Sequence, residues 1–257
     1  MKLLFLISGV IAVALWGAHE TMAAGNSAVE FSGNAADGVV APDSKSLGLD
    51  GKALTMEAWV FPTAPQAGDG TIICKEDAYE MALRNGDLFM FAIQAGAWDW
   101  FGGGKPTMNE WHHLAVTYDG TTTQGWIDGK AAPSPTKVNT LPLGVSTAIF
   151  QIGRRECCGG TPIKGIIDEV RISDIARYTA DFTLPTREFA PDKNTRLLWH
   201  LNEGTGAEVK DASGNGNTGK FEGTPKWVAG PSIQSVVAVE PKDKLAITWG
   251  RVKTNRD

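Results

Sequence analysis

Gly165-Ile-Ile-Asp-Glu-Val-Arg-Ile-Ser173 reads as a β-strand. β-Branched residues dominate it, and polarity alternates with period two. On that period Ile166, Asp168, Val170 and Ile172 share one face, and Ile167, Glu169, Arg171 and Ser173 the other. Glu169 and Arg171 can pair on an exposed face. Asp168 stands out, because the alternation puts it in register with aliphatic side chains. A carboxylate at a core edge needs backbone N–H groups, a cation or a metal as compensation. Two readings are open: a residue capping a loop at the strand's mouth, or a calcium ligand.

The rest of the chain repeats this alternation. In Leu54–Phe61, Leu54, Met56, Ala58 and Val60 face one way, and Thr55, Glu57, Trp59 and Phe61 the other. Short strands are also expected around Ala28–Phe31, Val39–Val40, Thr71–Lys75, Trp111–Tyr118, Gln124–Asp128, Ile149–Ile152, Arg196–Leu201 and Pro225–Val228. Tyr79–Arg84 and Asp87–Gln94 form a hairpin about Asn85-Gly86, which supplies both positive φ angles of a type I′ turn. Pro62–Gly70, Ala95–Lys105 and Arg155–Pro162 read as loops. Tight turns between short strands imply antiparallel pairing, and so many strands fold into two packed sheets. The expected class is all-β, an antiparallel two-sheet β-sandwich of jelly-roll type over 24–230, with strands and a loop added by 191–230 and a tail at 231–257.

The 257 residues carry a net charge of −5, 30 Gly and 9 Trp. No Lys/Arg cluster is present, so nucleic acid and anionic membranes are poor partners. Met1–Ala23 has the form of a secretory leader: Lys2, the apolar run Leu3–Ala18, and Thr21-Met-Ala23 before the cut. The expected location is outside the cytoplasm, extracellular, periplasmic or surface-associated. Export gives weight to the cysteines. Cys157 and Cys158 can close a vicinal ring, or Cys74 can pair with one of them and leave the other free.

Six segments in order resemble the laminin-G-like, concanavalin A-like jelly-roll family in its bacterial three-type form. They are Ala28-Val-Glu-Phe-Ser-Gly33 with Asp37, Leu54-Thr-Met-Glu-Ala-Trp-Val60, Glu110–Gly120, Trp126-Ile-Asp-Gly-Lys130, Phe150-Gln-Ile-Gly153 and Gly165–Ile172. Leu197–Gly204 and Lys210–Asn217 resemble segments found beside such domains. The resemblance implies a binding module for glycans or proteins outside the cell, without catalysis. It also implies a structural calcium (Ca2+) held by Asp168 with first-turn groups, for which Asn34 and Asp37 are the candidates.

Trp98, Asp99, Trp100 and Phe101, set among glycines, form the leading binding candidate. Aromatic rings stack on the apolar faces of sugars, and a carboxylate can orient the ligand. Arg84, Glu57 and Trp126 are weaker additions from neighbouring strands. Asp211-x-Ser213-x-Asn215-Gly216 with Glu222 nearly fits an EF-hand loop, but no helix flanks it, so an Asx-turn loop is expected. His112 and His113 are adjacent on a strand and cannot chelate one metal together. Glu76-Asp77-x-x-Glu80 is the nearest string to a glucanase carboxylate set, with its Asp on the wrong face. The expected function is secreted carbohydrate binding with a structural calcium. A surface adhesin for protein partners, or a divergent polysaccharide hydrolase or lyase, are the alternatives. The leader reading predicts that exported protein begins at Ala24 by intact mass, and retention of Lys2 would overturn it.

Overall fold

The computed structural model describes residues 27–49, 53–93, 98, 100–133, 137–138, 143–186 and 188–231. The expected leader, the tail beyond 231 and Asp99 lie outside the described residues.

Among the described residues, seventeen strands make up almost all of the regular structure. They are β1 (Ser27–Ser32), β2 (Gly38–Ala41), β3 (Leu54–Pro62), β4 (Gln66–Lys75), β5 (Tyr79–Gly86), β6 (Leu88–Ile93), β7 (Trp100–Gly104), β8 (His112–Tyr118) and β9 (Thr122–Ile127). Then come β10 (Lys130–Ala131), β11 (Lys137–Val138), β12 (Phe150–Ile152), β13 (Lys164–Ser173), β14 (Thr195–Trp199), β15 (Glu208–Val209), β16 (Gly219–Glu222) and β17 (Lys226–Ala229). The first sheet runs β10-β9-β8-β3-β13-β1-β17, with β14 on β13 and β11 on β9. The second runs β15-β16-β2-β12-β4-β5-β6-β7. Every pairing between named strands is antiparallel, as the short turns require. The core between the sheets holds Leu54, Met56, Ala58 and Val60 of β3, as alternation assigned them, against Met81, Leu83, Phe89 and Phe91. The segment after residue 191 adds β14 and β17 to the first sheet and β15 and β16 to the second.

Three expectations are corrected. Pro62–Gly70 is not all loop, because β4 begins at Gln66. The stretch 95–105 is not all loop either, since Trp100–Gly104 adds an edge strand to β6. The third correction concerns β13. Ile167 pairs with Val60, and Asp168 with Trp59, but the register then shifts so that Arg171 pairs with Glu57 and Ile172 with Met56. This is a β-bulge, with Glu169 at φ 49°. The extra residue reverses the alternation. Ile167, Val170 and Ile172 enter the core together, whereas Ile166 is only half-buried. Asp168 therefore shares the outer face with Trp59, not the core face with Val170.

That outer face is covered by the described residues of 174–194. Beneath them Glu57, fully buried, meets Arg171 Nε at 2.7 Å and His113 Nε2 at 3.1 Å, and accepts from Tyr178 Oη at 2.7 Å. Trp59 and Phe189 contact the His113 ring edge-on at 5.6 and 5.8 Å. Burial disfavours the Glu57 carboxylate, but the Arg171 charge and the His113 contact outweigh it and hold its pKa at about 2. A depressed carboxyl stabilises the fold above its ordinary value of 4.5 and loses that contribution as pH falls toward about 2. Arg171→Met should cost ~3–5 kcal/mol at pH 7, because it strands a buried charge. Urea unfolding should show this cost shrinking at pH 3, where Glu57 can protonate; an equal cost at both pH values would exclude the ion pair as its cause.

Candidate functional site

The outer face of the second sheet has no such cover from 174–194. On β5, Met81 and Leu83 enter the core, so Glu80, Ala82 and Arg84 point outward. Neighbouring strands extend the surface by register. Glu80 lies opposite Cys74 of β4 and Ala92 of β6, Ala92 lies opposite Trp100 of β7, and Cys74 lies opposite Gln151 of β12.

Two aromatic–cation pairs dominate it. The Trp98 and Trp100 rings lie 6.1 Å apart and nearly parallel, at 23°. The Arg84 guanidinium sits 4.1 Å from the Trp100 centroid and binds Asp69, its cross-strand partner. The Arg155 guanidinium sits 5.1 Å from the Trp98 centroid. Arg155 grips Glu76 with two bonds of 2.7 Å and approaches Glu80 Oε2 at 3.3 Å. Each ring thus has one face under a guanidinium that is fixed by carboxylates.

Glu80 is fully buried at the floor of this cluster. Its Oε1 accepts from Thr71 Oγ1 at 3.0 Å, and the Thr71 hydroxyl also meets Thr161 Oγ1 at 2.8 Å. Its Oε2 is in charge contact with Arg155 but lacks an aligned hydrogen bond. Burial pushes its pKa up to about 7, with Arg155 and the Thr71 bond opposing and Glu76 and Asp69 adding to the rise. Gln151 is also fully buried, and both atoms of its side-chain amide have no protein partner. Such groups call for water or a ligand.

The rim comes from the loop between β12 and β13. Cys157 and Cys158 form a vicinal disulfide there, and Cys158 and Thr161 have positive φ, 61° and 33°. The loop is fixed by Thr71 N donating to Thr161 O at 2.9 Å and Arg155 N to Gly160 O at 2.8 Å. A cleft of about 250 Å³ opens beside the disulfide, lined by Gln66, Gly68, Asp69, Cys158, Thr161 and Pro162. Cys74 is buried in β4 and is not bonded to Cys157 or Cys158.

Of the residues expected to bind a ligand, Trp98, Trp100 and Arg84 come together. Phe101 does not: it lies opposite Phe91 and packs against the core at 5.7 Å. Trp126 is on the other sheet, 2% exposed, bonded to Thr117 Oγ1 and packed on Phe182 at 5.8 Å. Glu57 belongs to the buried network of the first sheet. Arg155 and Gln151 were not singled out by sequence, since a loop arginine and a short-strand glutamine carry no distinctive pattern.

The expected calcium set does not assemble. Asp37 is fully buried and accepts from Ser32 Oγ at 3.0 Å and Thr224 N at 2.8 Å. Asn34 Oδ1 closes its own turn onto Ala36 N at 3.0 Å. Ser32 lies opposite Lys164, four residues along β13 from Asp168, which is about 13 Å of strand. The EF-hand-like loop is also satisfied internally: Asp211 accepts from the N–H groups of Leu198, Ser213 and Asn217. His112 and His113 bond to Asp128 and Glu57, apart from each other.

A family model described as the concanavalin A-like lectin/glucanases superfamily, of laminin-G type, matches residues 32–182. No curated protein matches the sequence. Among solved structures, a candidate carbohydrate-binding protein from Bacteroides ovatus aligns at TM-score 0.62 and 19% identity, over 80% of this chain and 60% of that one. The chain thus spans three-fifths of that protein, and the likeness is one of fold. A heptameric SAP-like pentraxin from Limulus polyphemus aligns at 0.49 and 12% identity, over 81% of this chain and 97% of that one. Domain 4 of an extracellular arabinanase from Geobacillus stearothermophilus, in complex with arabinotriose, aligns at 0.42 and 25% identity, over 56% and 69%.

The raised carboxyl of Glu80 has a signature of its own. Its neutral form is favoured in the fold, so its contribution is full below the ordinary value of 4.5 and is lost as pH rises through about 7. Glu80→Gln keeps an acceptor for Thr71 and has no proton to lose. The difference in unfolding free energy between parent and variant should move in the variant's favour from pH 4 to pH 8. A constant difference across that range would refute the assignment.

Proposed function

The chain belongs to the concanavalin A-like lectin/glucanases superfamily, and from that premise we propose that it is a secreted, non-catalytic module that binds carbohydrate on the outer face of its second sheet. The observation that carries this reading is the half-buried Trp98–Trp100 pair, nearly parallel and stacked, with a carboxylate-bound guanidinium beside each ring. Flat, rigid rings match the apolar faces of sugar rings. Arg84 and Arg155 are balanced by Asp69 and Glu76, which favours a neutral glycan over an anionic one. The candidate carbohydrate-binding protein from Bacteroides ovatus, similar in fold, is in keeping with this class of ligand.

A protein-binding adhesin is less well supported. Val145 is the one strongly exposed large apolar side chain among the described residues, and a protein interface is built around a buried apolar centre. Hydrolysis is less well supported, because both oxygens of Glu76 are bonded to Arg155 and Glu80 is buried against the same guanidinium.

Glycan-array binding followed by titration tests the reading. Trp98→Ala and Trp100→Ala should each cost ~2 kcal/mol of binding, roughly thirtyfold, with an unchanged melting temperature. A large fall in melting temperature, or binding that survives both changes, would reject the platform, and release of reducing ends would reject the non-catalytic role.

A further inference from the structure

The cleft beside the disulfide and the Trp98–Trp100 pair are neighbours. Asp69 lines the cleft and holds the Arg84 guanidinium, which lies 4.1 Å from the Trp100 centroid. One guanidinium therefore separates the cleft wall from that ring. On the other side, the loop that carries Cys157, Cys158, Thr161 and Pro162 also carries Arg155, whose guanidinium lies beside Trp98. Both cations beside the rings thus lead into the walls of the same recess.

Two local irregularities build the recess. β4 shifts register on β5 between Gln66 and Asp69, so Ala67 and Gly68 stand opposite the single residue Asn85. The loop docks on β4 through a parallel bridge between Thr71 and Pro162, and Gly160 N donating to Cys157 O at 3.0 Å turns it around the disulfide. The space enclosed is about 250 Å³. Pockets for drug-sized molecules run from about 300 Å³ upward, so this one suits a single small ring. Its lining is mixed. Cys158 is exposed, and with Pro162 and Ala67 it offers soft, apolar surface. Asp69 engages Arg84 through Oδ1, which leaves Oδ2 to accept. Lys164 is exposed and has no acid partner among the described residues. Gln66 is fully engaged, since its amide donates to Ala64 O and Lys164 O and accepts from Lys164 N. It ties β4 to the first residue of β13 instead.

We propose that this cleft is a second sugar subsite, continuous with the Trp98–Trp100 platform, so that the protein takes a glycan chain across adjacent residues rather than a single terminal sugar. The inference rests on the carbohydrate reading of that platform. One ring stacks on the tryptophans. The next crosses the Arg84–Asp69 pair and enters the recess, with an apolar face on Cys158 and Pro162 and hydroxyls on Asp69 and Lys164. A carboxylate that only accepts and an ammonium that only donates suit neighbouring hydroxyls, which can do both. The disulfide fixes the rim covalently, so little chain ordering is left to oppose binding.

The test uses the full exported chain and fragments of the strongest glycan on the array, from monosaccharide to tetrasaccharide, in calorimetric titration. The parent should bind the trisaccharide at least about tenfold more tightly than the monosaccharide. Gly68→Phe crowds the recess at low cost to the fold, since a Cβ added there meets no atom within 4 Å. Lys164→Met removes the donor and keeps the stem that lies over Gly33. Each change should abolish most of the gain with length and leave the monosaccharide affinity unchanged, whereas Trp98→Ala should weaken every length. The tetrasaccharide, unlike the monosaccharide, should slow reduction of Cys157–Cys158 by dithiothreitol, counted as alkylated thiols. Equal affinity for all lengths, or a gain that survives both cleft variants, overturns the subsite and leaves the platform standing. Binding that survives Trp98→Ala but is lost in both cleft variants supports the cleft as a sugar site and rejects the platform. A parent that binds no fragment overturns both.

Discussion

One extra residue in β13 governs how the first sheet is built. A strand of ten residues here must pair with β3 along one edge and with both β1 and β14 along the other. The bulge lets it do so while sending Ile167, Val170 and Ile172 into one core. Without it, the half of the strand beyond Glu169 would turn over, placing Arg171 in the core and Val170 outside. The Glu57–Arg171 pair exists because the shift returns Arg171 to the outer face directly across from Glu57. The covering residues of 174–194 then follow, since an ion pair drawn out of water needs Tyr178 and His113 to complete it and aromatic side chains to enclose it.

The two outer faces have diverged in consequence. On the first sheet, Trp126 is buried against the stacked rings of Tyr178 and Phe182, 3.6 Å apart. On the second, Trp98 and Trp100 stay half-buried, each with an arginine guanidinium beside its ring. The same residue type thus serves packing on one side and a surface on the other. What differs is whether a later segment of chain crosses above it.

The sandwich was legible because most strands obey strict alternation. β3 is the clearest case: its two faces were assigned correctly residue by residue, as both are buried by different things and neither face carries an intruder. The hairpin about Asn85-Gly86 was legible, but Arg84 pairs with Leu88, so Asp87 joins the turn and the loop is one residue longer than a type I′ turn. Asp168 was misplaced because a bulge leaves no mark on period-two polarity; Glu169 gives no hint of a positive φ. Phe101 and Trp100 differ by a single step along an edge strand whose glycines hide the alternation. Trp126 could not be distinguished from a surface aromatic, since the segment that buries it has no periodicity to reveal where it runs.

The pairing of β1 with β17 brings the two ends of the described sandwich side by side, Ser27 opposite Ala229. Under tension this arrangement is a zipper. Force entering through residues before Ser27 and leaving after Ala229 falls on the end pair alone, and the ladder opens one bond at a time rather than shearing as a whole. The outermost pair would be mechanically soft, and β17, held by β1 on one edge, would peel first. The next element to resist is β1 itself, braced by β13 and by Ser27 Oγ bonded to Leu201 O at 2.9 Å. The sandwich therefore has a built-in order of yielding, in which the last strand is shed while the Trp98–Trp100 face, on the other sheet, keeps its shape.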